Sequence, residues 1–118
     1  MAYFISHADE SSLKVDAVFD ALSSSSSVGN LKRERAVPNV EGQCEFKGGA
    51  DTIAEVRVFA SLISLEGFDD AILEFAVWFQ KAYDQPLVFG DPEAPSEIGL
   101  SSIESVEALQ AAIEQEWA

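Results

Sequence analysis

The stretch "TIAEVRVFASLISLEG", residues 52–67, decides the fold. In its first half Ala54, Val56 and Val58 fall on one side while Glu55 and Arg57 fall on the other. That period-two pattern marks a strand with one face buried. The alternation then slips: Leu62 keeps the first register, whereas Ile63 and Leu65 follow the second. A bulge near residues 59–61 or a change of strand there explains the slip, and the sequence leaves both open. Just upstream, "GQCEFK" (42–47) alternates as well, and "GGAD" (48–51) has the glycines of a hairpin turn. Residues 42–67 therefore read as sheet.

Working outward, "AYFIS" (2–6) reads as a strand. Asp9 or Ser11 is placed to cap a helix running to about Ser23, with Val15, Val18, Phe19 and Leu22 on one face and Asp16 and Asp20 on the other. Gly67 closes the sheet segment, and Asp69 and Asp70 open a helix to about Tyr83, their charges at its positive end. "PLVFG" (86–90) is a short strand, and "DPEAPSEIGL" (91–100) a Pro-rich loop. The last segment, 101–118, predicts a helix with a Ser101–Glu104 capping box and a buried stripe of Ile103, Val106, Leu109, Ile113 and Trp117. The order is β-α-β-β-α-β-α, with one extra short strand allowed at 31–37. It predicts an α+β fold: a two-layer sandwich of mainly antiparallel sheet with helices on one face, ferredoxin-like in arrangement. Its 118 residues suit a single domain spanning 1–118, with a flexible Ser-rich and basic loop at 23–42.

Charge bounds the partners. Seven Lys and Arg against 21 Asp and Glu leave −14. Residues 1–58 hold six basic and nine acidic side chains (−3), and residues 59–118 hold one and twelve (−11). Such a chain repels phosphates and anionic lipid, so direct nucleic-acid or membrane binding is disfavoured and a basic protein partner is favoured. Acidity that simply maintains solubility is the plainer account. Lys32, Arg33 and Arg35 form the one basic run. With no aromatic nearby and a negative whole, they read as a solvated loop or edge strand. The N-terminal segment has no basic n-region and no long apolar core, and no stretch nears the ~20 apolar residues of a membrane span. A cytoplasmic location is the expectation.

Chemistry is sparse. His7 is the sole histidine and Cys44 the sole cysteine, which leaves no intramolecular disulfide, no zinc ligand set and no His-based catalytic pair beyond His7 itself, read as a surface or cap residue. Neither an EF-hand spacing nor a phosphate-binding glycine loop is present. No catalytic residue, metal or cofactor is expected.

A candidate binding face comes from "EFAVWFQKAYDQP", residues 74–86. On a wheel of 100° per residue, Phe68, Ile72, Phe75, Ala76, Phe79 and Tyr83 share the side facing the sheet. Leu73, Val77 and Trp78 instead flank the Asp70, Glu74 and Lys81 stripe. Either the last helix or the Pro-rich loop covers Trp78 as a second-layer core residue, or Trp78 and Leu73 anchor a partner. The candidate partner-binding set is Asp70, Leu73, Glu74, Val77, Trp78, Asp91 and Glu93.

The run "VRVFASLISLEGFDDAILEFAVWFQKAYDQPLVFGDP", residues 56–92, resembles segments of small acidic immunity proteins of bacterial toxin systems. The resemblance covers about a third of the chain and implies a non-enzymatic inhibitor that caps a basic toxin or nuclease. It carries no residue-level assignment. Two other readings stand beside it. One is a nucleic-acid-mimicking regulatory protein, favoured if Glu104, Glu107 and Glu114 form a row. The other is a small ligand-binding domain, favoured if a carboxylate-lined pocket lies near His7.

Overall fold

The computed structural model describes residues 2–33 and 39–117. Among the described residues seven strands form one antiparallel sheet: β1 (Ala2–His7), β2 (Val28–Lys32), β3 (Val40–Lys47), β4 (Ile53–Phe59), β5 (Ile63–Gly67), β6 (Leu87–Gly90) and β7 (Ile98–Gly99). Their order across the sheet is β2-β3-β4-β5-β1-β6-β7. Three helices, α1 (Val15–Ser23), α2 (Asp69–Ala82) and α3 (Val106–Trp117), complete an α+β sandwich.

The slip in residues 52–67 is a change of strand. Ala60 and Ser61 form the tip of a two-residue hairpin, closed where the Phe59 N–H donates to the Leu62 carbonyl at 2.8 Å, and Val58 then pairs with Ile63. Turning the chain restores one buried face: Val56 and Val58 of β4 and Ile63 and Leu65 of β5 are all buried. The expected loop at 23–42 contains β2, and residues 34–38 lie outside the described residues. A short β7 forms within the Pro-rich stretch and pairs with β6. The expected β-α-β-β-α-β-α order is too short: its segments correspond to β1, α1, β3, β4, α2, β6 and α3, and β2, β5 and β7 are added to them, so the observed order is β-α-β-β-β-β-α-β-β-α.

One side of the sheet is the core. Tyr3, Ile5, Cys44, Phe46, Ala54, Val56, Leu65 and Phe89 pack under the helices, with α2 over the middle strands, α1 toward β2 and α3 toward β7. Gly42 lets α1 approach, since a Cβ there would lie 2.3 Å from the Phe19 ring. The helix starts differ from expectation. Asp9 accepts the Ser11 N–H in a local turn, and α1 begins only after Lys14. Ser105, not Ser101, caps α3 by accepting the Ala108 N–H at 3.1 Å, so Glu104 precedes the helix. Of the α3 stripe only Leu109 is fully buried, while Val106, Ile113 and Trp117 are partly so. No helix among the described residues is long and apolar enough to cross a membrane.

Candidate functional site

The α2 flank does not look as the wheel suggests. Leu73 and Val77 are 6% and 7% exposed, so both belong to the core rather than to a polar-rimmed surface. α2 packs against strands β3, β4 and β5 and also against α1 and α3, so its covered surface is wider than the sheet-facing side alone. Trp78 projects from the flank opposite Leu73 and Val77, toward β3. Its indole is partly buried, stacks on Phe46 at 5.8 Å and meets Phe75 and Phe79. It therefore packs along one side of α2 instead of beneath α3. Glu74 also has a structural partner, since both its oxygens accept the Gly49 N–H at 3.1 Å and tie the β3–β4 turn to α2. Asp70 is exposed at the start of α2. Asp91 accepts the Glu93 N–H at 2.9 Å in a tight turn after β6, with Glu93 exposed.

The large exposed apolar side chains among the described residues are elsewhere. Phe68 is 64% exposed and Ile53 is 41% exposed. Phe68 does not share the sheet-facing side of α2 as the wheel predicts: it is the N-cap, with extended backbone (φ −77°, ψ 133°), so helical angles do not apply to it. Its N–H bonds to the Ile53 carbonyl at 3.3 Å, which sets the two residues side by side at one end of β4 and β5. Phe68, Asp69, Asp70, Thr52 and Gly67 line a shallow depression of about 380 Å³ there. Neither the Asp69 nor the Asp70 carboxylate makes a hydrogen bond or ion pair among the described residues. Asp91 belongs to the same end. Burial, followed by the negative charges of Asp69 and Asp91, raises the Tyr3 hydroxyl above its ordinary pKa.

On the open face of the sheet, strand register creates a pattern that sequence reading missed. Glu45 lies opposite Glu55, and Glu55 opposite Glu66, giving three carboxylates in one row across β3, β4 and β5. Neighbouring strands are about 4.8 Å apart, and like charges directly opposed destabilise a sheet. Asn30 donates to Glu45, but neither Glu55 nor Glu66 is held in a salt bridge among the described residues. Ile53 follows on the same face of β4, two residues from Glu55. The row thus leads to the Phe68 end.

His7 is buried at 4% exposure, contrary to its reading as a surface residue. The signal was present, because His7 continues the inward alternation of Tyr3 and Ile5. Ser11 donates its hydroxyl to Asp9 at 2.5 Å. With the Ser11 proton given to Asp9, the arrangement fits the Nδ1–H tautomer of His7, in which Nδ1–H donates to the Ser11 oxygen at 2.8 Å and Nε2 accepts from the Tyr83 hydroxyl at 2.6 Å. Tyr83 in turn accepts the Lys14 N–H at 2.9 Å. Both ring nitrogens are engaged, and the serine faces the aspartate, so the constellation lacks the base-activated hydroxyl of a nucleophilic triad. It fastens the end of β1, the start of α1 and the end of α2. A cleft of about 350 Å³ beside it is lined by His7, Asp9, Glu10, Ser11 and Glu97.

Of the basic run, Arg33 pairs with Asp16 of α1 and lies over the Phe19 ring at 5.1 Å. Lys32 edges the open face with Arg57 and Gln43, while Arg35 lies outside the described residues. Among the described residues no three His, Cys, Asp or Glu side chains converge as metal ligands. Comparisons with family models, with curated proteins and with solved structures find no match to this chain.

Proposed function

We propose that the protein is a non-enzymatic binding protein of the immunity or inhibitor kind, which captures a basic protein through the Phe68 end of its sheet. The observation that carries this reading is Phe68 itself, 64% exposed beside Ile53 and lining one depression with Asp69 and Asp70. An aromatic left in water at a charged rim is what an energetic anchor looks like before its partner arrives. The net charge of −14 supplies long-range attraction, and Glu66, Asp69 and Asp70 supply the local rim. Capture would occlude the partner's surface, and a toxin or nuclease with a basic active-site cleft fits that description.

The test is affinity capture from the native host extract at low ionic strength, with the wild-type chain and a Phe68→Ser variant side by side. The reading expects one basic protein, held by the wild type, released by salt and poorly held by the variant. Retention of neutral proteins only, or equal retention by both chains, contradicts it. A ligand-binding domain is the second reading, favoured by the carboxylate-lined cleft beside His7. It ranks lower because both ring nitrogens of His7 already have partners within the protein. The nucleic-acid mimic loses its row on α3, since Glu104 precedes the helix and only Glu107 and Glu114 share a face.

A further inference from the structure

We propose that the Phe68 depression is a receptor for an arginine side chain, so the basic partner is held by arginine in preference to lysine. The inference rests on the reading above and narrows the partner's chemistry. A guanidinium is planar: it stacks on an aromatic face while its edge donates to carboxylates, whereas an ammonium is a compact, strongly hydrated charge. The depression offers both halves of that match, an exposed phenyl ring and two carboxylates without protein partners. The chain already holds one arginine in this way, because Arg33 lies over Phe19 at 5.1 Å while pairing with Asp16. At Phe68 the ring and acids are present and no arginine of this chain fills the place among the described residues. Arg57 is on the open face two rows away, opposite Ser64. A second copy of the chain is a poor occupant, since it would bring −14 to an acidic rim.

The experiment titrates the intact protein with two capped hexapeptides, hexa-arginine and hexa-lysine, at low and moderate salt. Chemical shifts of the Phe68, Asp69 and Asp70 amides are followed by NMR. Hexa-arginine should bind about fivefold more tightly than hexa-lysine, the size of one exposed cation–π contact. Phe68→Leu keeps an apolar side chain at an exposed position and should erase the preference without abolishing binding. Asp69→Asn with Asp70→Asn should weaken both peptides. Equal affinities, or a preference that survives Phe68→Leu, overturn the arginine receptor and leave the basic-partner reading standing. If neither peptide binds at low salt, both fall. Shifts confined to the row of Glu45, Glu55 and Glu66 also overturn it, because the attraction would then be to the open face alone.

Discussion

Gly67 aims the whole candidate site. Its φ of +125° is one that side-chain-bearing residues rarely adopt, and a Cβ there would fall 2.5 Å from the Ile53 carbonyl oxygen. Only glycine lets β5 end beside Ile53 and turn directly into Phe68 and α2. Gly67→Ala should lower stability by roughly 1–3 kcal/mol, read as a drop in the urea midpoint with an unchanged slope. A second residue-scale prediction concerns Tyr83. Its hydroxyl donates to His7 and accepts from Lys14, so Tyr83→Phe leaves a buried imidazole nitrogen and a helix-start N–H without partners. The expected loss is about 1–3 kcal/mol in chemical denaturation, and a change below a few tenths would show that the network is dispensable. Sequence made Gly67 legible as a stop, but it hid Phe68. Reading Phe68 as the first turn of a helix gave it a helical direction, when a cap residue has extended backbone.

At the scale of elements, the three-glutamate row is the least comfortable feature of the sheet. Glu55 faces a like charge on both sides, from Glu45 and from Glu66. Replacing it with glutamine should raise stability by about 0.2–1 kcal/mol at low salt, with the gain shrinking as salt screens the charges. Thermal melts of Glu55→Gln at two ionic strengths check this, and a loss of stability would mean that Glu55 has a role the charge row does not capture. The alternation of Ala54, Glu55, Val56 and Arg57 was readable in one strand. That Glu55 would meet Glu66 was not, because the β4–β5 register depends on a hairpin tip, Ala60–Ser61, that lacks the Asn or Gly of a strong turn signal. The same limit applies to α2. One helical wheel shows the polar stripe, but it cannot show that Leu73 and Val77 on its flank join the core.

For the molecule as a whole, alkaline pH should be destabilising. Burial, then the nearby Glu45 charge, pushes the Cys44 thiol up to about 12. Burial is also the leading cause that raises Tyr3 and Tyr83. Each group holds its proton in the folded state at a pH where the unfolded chain has released it. The unfolded chain then binds fewer protons, and stability falls as pH rises. The contribution of Cys44 is complete below its unfolded pKa, near 8.5, and is lost progressively as pH climbs toward 12. Melting temperatures between pH 8 and 11 should decline, and Cys44→Ala should flatten part of that decline. An unchanged slope in the variant would show that the thiol is not responsible. The net charge is legible in composition alone, whereas the meeting of exposed Phe68 with Asp69 and Asp70 exists only in the three-dimensional fold. Zero-length carbodiimide cross-linking of the captured complex, mapped by mass spectrometry, tests that placement most directly, because it joins carboxylates of this chain to lysines of a touching partner. Cross-links from Glu66, Asp69 and Asp70 are expected. Cross-links confined to Asp9, Glu10 and Glu97, or to Glu107 and Glu114 on α3, would contradict it.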